Sequence, residues 1–391
     1  MISTKIKEAM QQGSAIRDMF EKGKAIKAIY GADQVYDFSL GNPDVATPAS
    51  VDEDLRFALA QAVSHGHGYM TNAGYEETRR VVAEREIKRS GVPVEPEGIV
   101  MTCGAAGALS IIFKSILDPG DEVVVFAPYF AEYRSYVQNA GGILKVLPTK
   151  PGEFLPDPNV FKQAISPRTK ALLINSPNNP SGCVYDIGTL TALKHVLDAS
   201  GQSIYVVSDE PYAEIIFGDT KLPSIFALFP NSIIAYSWSK SLSLPGERIG
   251  YVACNKTCED YENLISALAY ANRSLGFVNA PALMQRAVIA FADKHVDPKI
   301  YEKRRDMLYN ILLDSGFSCF LSQGSFYLFP QSPILDEEIF VDECAEHRLL
   351  CTPGSAFGMP GHFRLSFCVS EETIKRSASV FHTLGKQYGL I

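Results

Sequence analysis

The chain has 391 residues, 46% hydrophobic and 20% charged, a globular composition long enough for one large domain and a smaller one. Its formal charge is −8 and no run of Lys or Arg occurs, which excludes the clustered positive charge that nucleic-acid and membrane-surface binders need. Eight cysteines are scattered without framework spacing, and no histidine stands near the closest pair, Cys254 and Cys258; reduced thiols in a cytoplasmic protein with no metal site are expected.

In chain order, MISTKIKEAMQQGSAIRDMF interrupts every apolar stretch with polar residues, so neither a signal peptide nor a membrane span is expected. The stretch to about Tyr36 reads as helical. FSLGNPD, Phe38 to Asp44, is extended and broken by Gly and Pro. From Gly98 to about Cys254 short apolar runs alternate with helical stretches: GIVMT, DEVVVFAP, KALLIN, SIYVVSD, SIIAYS and RIGYVAC. Runs too apolar to have a wet face predict an α/β protein, with a mainly parallel sheet covered by helices. The helix after Cys103 stops at Asp118-Pro119-Gly120. Beyond about Ala280, helices mix with short strands such as GSFYLFP and HFRLSF, as in a smaller α+β domain. The expected division is an N-terminal segment, 1–45, packing with the small domain; a large domain, 46–280; and the small domain, 281–391.

Several apolar runs end in polar or Gly/Pro-rich clusters: TCGAAG, APYF, NSPNNPSG, SDEPY and SWSK. Open α/β sheets bind ligands beyond the carboxyl ends of their strands, so these clusters predict one composite site.

The segment SWSKSLSLPGERIGY places Ser237 and Ser239 just before Lys240 and Arg248 eight residues after it, ahead of Ile-Gly. It resembles the lysine signature of the fold-type I pyridoxal-phosphate aminotransferases, classes I and II, and is similar to the aspartate aminotransferases among them. The resemblance implies that Lys240 carries pyridoxal 5'-phosphate as a Schiff base, and that Ser237, Ser239 and Arg248 bind its phosphate. The chemistry agrees: an amine adds to an aldehyde, and a planar guanidinium suits a phosphate. Trp238 stands where family members more often have a small or aliphatic residue. In VVSDEPYAE the likeness implies that Asp209 pairs with the pyridine nitrogen and that Tyr212 bonds the ring's phenolic oxygen. In NSPNNPSG it implies that Asn179 donates to the same oxygen. In TCGAAGAL it implies main-chain contacts from Ala105 and Ala106 to the phosphate at a helix N-terminus. In APYFAEY the likeness implies an aromatic flat against the ring, Phe130 or else Tyr129. In HFRLSF it implies that Arg364 grips the substrate carboxylate, bidentately where geometry allows; Gly41 and Asn42 of SLGNPD belong to a segment that approaches the same group. GYMTNAGYEETRR resembles a stretch whose tyrosine, here Tyr69, reaches the phosphate of a partner subunit in a homodimer. His65 and His67 nearby are read as solvated loop residues.

The matches run in the family's order from Gly41 to Arg364. They imply ping-pong transfer of an amino group from an amino acid to a 2-oxo acid such as 2-oxoglutarate, within amino acid metabolism or biosynthesis. Some bacterial aspartate aminotransferases carry a lysine for the substrate's second carboxylate where this chain has Ala106. The implied donor is therefore aspartate or a broad range of amino acids, with Arg273 a candidate replacement. Two other functions fit the same scaffold. A carbon–sulfur β-lyase would share the cofactor contacts. A ligand-sensing regulator would need an added DNA-binding domain and a basic patch, and neither is legible before Phe38.

Overall fold

The computed structural model describes every residue except 1, 5, 8, 9, 11–13 and 63–66, so His65 lies outside the described residues. Helix Ser14–Tyr30 leads to a short strand, β1 (Tyr36–Asp37). Seven strands then build the main sheet: β2 (Ile99–Thr102), β3 (Glu122–Ala127), β4 (Ile143–Pro148), β5 (Thr169–Asn175), β6 (Tyr205–Asp209), β7 (Ser232–Ser237) and β8 (Gly250–Cys254). Their order is β2-β8-β7-β6-β5-β3-β4. All pair in parallel except β8, which is antiparallel to both neighbours. β2 to β7 therefore point one way and end at one edge, and β8 starts there.

Successive side chains of a strand face opposite sides, so each apolar run feeds two cores. Val123 and Val125 pack with helices Gly104–Ile116 and Tyr261–Ser274 on one face. Val124 and Phe126 pack with Phe161, Leu190 and Leu193 on the other. β2, β3, β7 and β8 are buried along their whole length, which is why they read as unbroken apolar runs. The sequence reading did not single out β4. It is one of the two edge strands, exposed at both ends and interrupted by Lys145, whereas β2 at the other edge is buried throughout.

A second unit adds β9 (Tyr327–Leu328), β10 (Leu349–Leu350), β11 (Thr352–Pro353) and β12 (Phe363–Ser366). β11, β12 and β9 form an antiparallel sheet, and β1 pairs in parallel with β10. Met19, Val35 and Phe38 enter its core with Phe317, Phe340, Phe363 and Phe381, so the N-terminal segment packs with the C-terminal one. Helix Ala282–Phe291 belongs elsewhere. Its Met284, Ala287, Val288 and Phe291, spaced as one helical face, pack with Tyr251 and Ala253 of the main sheet. Packing thus changes over near Val296, which joins the second core, and not at residue 281.

Candidate active site

At the shared strand edge, Asn175, Asp209 and Ala235 are in register across β5, β6 and β7, and Ser237 is level with Gly250 of β8. Ser237 ends β7 and precedes the short helix Trp238–Ser241, which carries Lys240. Trp238 anchors this turn. It is fully buried against Tyr236, Tyr251 and Phe291, and its indole N–H donates to Ala292 O at 3.2 Å. Lys240 Nζ donates to Gly41 O at 2.9 Å and lies 5.5 Å from the centre of the Phe326 ring. Burial lowers the Lys240 pKa to about 8, and the Arg364 and Arg248 charges add to the effect. The amine is thereby brought toward its nucleophilic form near neutral pH. Gly41 has to be glycine, because a Cβ there would sit 1.8 Å from the Tyr327 hydroxyl.

Asp209, at the end of β6, is 5% exposed. Its Oδ2 accepts from the Tyr133 hydroxyl at 2.5 Å, and its Oδ1 is buried with no partner among the described residues. Burial raises its pKa to about 7, although the Tyr133 bond pulls the other way. An unpaired buried carboxylate oxygen is costly and marks a place where a donor from outside the chain belongs.

Arg364, on β12, is buried between the Tyr327 and Phe357 rings, 4.6 and 4.7 Å from their centres. Nη2 donates to Ser39 O at 2.6 Å and Nη1 to Asn179 Oδ1 at 3.1 Å, while Nε has no partner. Asn179 is held by its own backbone N–H donating to Asn175 Oδ1 at 2.8 Å. With its Oδ1 committed to Arg364, its amide N–H₂ is left free to donate. Tyr212 is buried with its hydroxyl 3.2 Å from that of Tyr327.

Arg248 has a left-handed backbone, φ 51°, just before β8. Its guanidinium donates to Pro245 O at 3.0 Å and Cys103 O at 3.3 Å, lying against the turn into helix Gly104–Ile116. A Cβ on Gly104 would come within 2.9 Å of that guanidinium, and φ there is +73°, so glycine suits both demands. Ala105 and Ala106 sit in the first turn of the helix, where backbone N–H groups lack helical partners.

One cavity of about 300 Å³ gathers Gly41, Ala105, Ala106, Phe130, Asn179, Asp209, Tyr212, Ser237, Ser239, Lys240, Arg248 and Arg364. Between the two aromatic candidates, Phe130 lines it. Tyr129 is buried elsewhere, its hydroxyl accepting from Arg134 at 2.9 Å. Asn42 and Arg273 are not among the lining residues, and Arg273 is exposed on helix Tyr261–Ser274. Tyr69, expected to act on a partner subunit, is 94% exposed and does not line its own chain's cavity. The sequence reading missed Leu40, Tyr133, Tyr136, Asn175 and Tyr327 as lining residues. Asn175 stood inside the quoted NSPNNPSG segment. Tyr133 likewise closed the quoted APYFAEY segment, but its partner Asp209 lies 76 residues away, which no local pattern records.

Sheet and cavity together define an α/β enzyme built around a half-buried lysine at the carboxyl edge of its strands. Residues 33–381 match the family "Aminotransferase class I and II". A Thermus aquaticus protein named probable aspartate/prephenate aminotransferase is 36% identical over 87% of this chain and 89% of its own length. The aspartate aminotransferase of Geobacillus stearothermophilus is 33% identical over 94% and 95%. Among solved structures, an aminotransferase from Eubacterium rectale superposes with a TM-score of 0.94 at 37% identity, covering 99% of both chains. The Thermus thermophilus aspartate aminotransferase with maleate gives 0.85 at 30%, covering 95% and 96%. The chain belongs to the class I and II aminotransferases. It is a transferase of amino groups acting on small molecules, in a family that works with pyridoxal phosphate.

Proposed function

We propose that this aminotransferase holds pyridoxal phosphate on Lys240 and moves the amino group of an α-amino acid, aspartate or a broader range, to a 2-oxo acid such as 2-oxoglutarate. The observation that carries the reading is the buried, unpartnered Oδ1 of Asp209, in a cavity shared with Lys240, Arg248 and Arg364. The cofactor fits this donor set. A protonated pyridine nitrogen supplies the donor that Oδ1 lacks, and a phosphate suits Arg248 beside the Ala105–Ala106 turn. When bound, the cofactor supplies an electron sink for the carbanion at the substrate α-carbon.

The chain's own residues do the rest. Asp209 holds the ring nitrogen protonated, and it ionises more readily once a cation faces it. Tyr212 and the amide N–H₂ of Asn179 would donate to the phenolic oxygen. Ser237, Ser239, Arg248 and the N–H groups of Ala105 and Ala106 would hold the phosphate, and Phe130 would lie against the ring. Arg364 holds the substrate carboxylate beside the Gly41 segment and so orients the α-carbon. The Lys240 amine, its pKa lowered by burial to about 8, would serve as the general base for the proton on the substrate α-carbon. Aspartate is the first donor to test because the relatives carry that name, and the second carboxylate falls to a residue other than Ala106. Tyr69 serves a homodimer in this reading, contacting the partner's phosphate. The eight free thiols favour the cytoplasm. The chain divides into a segment at 1–45, a large domain and a small domain, with the change of packing near Val296 taken as their boundary.

The test is a visible absorption spectrum of the protein with pyridoxal phosphate, before and after a panel of amino acids. A band that one donor bleaches and a 2-oxo acid restores is expected. Pyruvate release with no acceptor present assigns a β-lyase instead. No band removes Lys240 from its role.

A further inference from the structure

Helix Tyr133–Asn139 brings two tyrosines to the cavity. Tyr133 donates to Asp209. Tyr136, three residues on, is partly buried and lines the same cavity, yet its hydroxyl makes no hydrogen bond to any described residue. The charged groups that act on this hydroxyl are Glu132, Asp209 and Arg248, and Arg364 is not among them. Tyr136 shares that cavity with Asp209, Arg248 and the Ala105–Ala106 turn, and its helix packs against helix Gly104–Ile116, which that turn opens. Burial pushes its phenol far above neutral pH, so it is an O–H donor. A donor with no acceptor, beside a guanidinium and a helix N-terminus, is complemented by an anion bound among them.

We propose that the Tyr136 hydroxyl donates a hydrogen bond to the phosphate of the bound cofactor, adding a side-chain donor to the cradle of Arg248, Ser237, Ser239 and the Ala105–Ala106 turn. The proposal rests on the pyridoxal-phosphate reading above and extends it to a residue outside every segment that carried the family resemblance as a role. It makes a specific demand: Tyr136 discriminates the phosphorylated cofactor from the same ring without phosphate.

The experiment compares wild type with Tyr136→Phe, titrating each apoprotein with pyridoxal phosphate and with unphosphorylated pyridoxal and following absorbance. Loss of one hydrogen bond to an anion should weaken pyridoxal phosphate about tenfold and leave pyridoxal unchanged. The thermal midpoint of the apoprotein should not move, because the hydroxyl has no partner to lose. An equal loss for both ligands, or no loss for either, overturns the assignment. A wild type that binds pyridoxal phosphate while Tyr136→Phe binds it equally well sinks Tyr136 alone. A wild type that binds none sinks the cofactor reading together with it.

Discussion

Asp209 and Glu210 are chain neighbours with opposite fates. Glu210 joins a buried network on one side of the sheet with Arg85, Glu86, Arg89 and Glu214. Arg89 pairs with Glu210 at 2.5 Å and with Glu86 at 2.9 Å. Arg85 pairs with Glu86 at 2.9 Å and also with Glu214, Tyr251 and Ala292 O. Ser208 donates to Glu210 at 2.7 Å. No buried atom of these residues lacks a partner, whereas in the cavity Asp209 Oδ1 and Arg364 Nε do. Burial alone would raise the Glu86 carboxyl, but Arg89 and Arg85 hold it below the usual carboxylate range. Asp209, with one hydroxyl and no adjacent cation bonded to it, rises to about 7. The difference teaches how to read buried charge here: a closed network is structural, and an open one awaits a ligand.

The largest effect expected on this comparison comes from the open side. Lys240→Ala should lower turnover by about 10⁴-fold or more, read by coupled assay, with the fold intact by circular dichroism. Substantial turnover in that variant would remove the lysine from the chemistry. Next comes the closed side. Arg85→Met leaves Glu86 and Glu214 short of a cation, and should cost about 3–5 kcal/mol in urea unfolding. Cofactor affinity of the folded fraction should change only a few-fold; a loss as large as that of stability would mean that the two regions are coupled.

The third effect is smaller and depends on pH. The folded pKa of Asp209 is raised from the ordinary 3.8 to about 7, so the folded apoprotein binds a proton that the unfolded chain releases. Its contribution is full below pH ~4, falls as pH rises toward 7 and is lost above that, by at most about 4 kcal/mol. Asp209→Asn should flatten this part of the stability–pH curve. Pyridoxal phosphate should flatten it too, because a ring cation favours the ionised acid. An unaltered slope in the Asn variant would assign the titration to another group.

Much of the architecture was legible because the buried strands leave unbroken apolar runs and their ends carry turn-forming polar clusters. β4 has no such run, because Lys145 interrupts it and both its ends are exposed. The apolar face of helix Ala282–Phe291 records that it packs, and only the fold shows that it packs against the main sheet. Lys240, Asp209, Arg248 and Arg364 stand in short segments that carry the family resemblance, and the fold brings all four to one cavity.

By itself, then, the sequence determined the alternation of strand and helix and the polar cluster at each strand end, with a lysine, an aspartate and two arginines among the segments that carry the resemblance. Only the tertiary structure decided which distant groups meet. Tyr133 reaches Asp209 across 76 residues, and Arg364 reaches Ser39 O across 325. It also decided that Phe130 and not Tyr129 faces the cavity, and that Tyr136 arrives there with a free hydroxyl. The physical reason is that periodicity and turn chemistry are local properties of the chain. The pairing of one buried donor with one buried acceptor is set by how the elements pack, and no short segment encodes it.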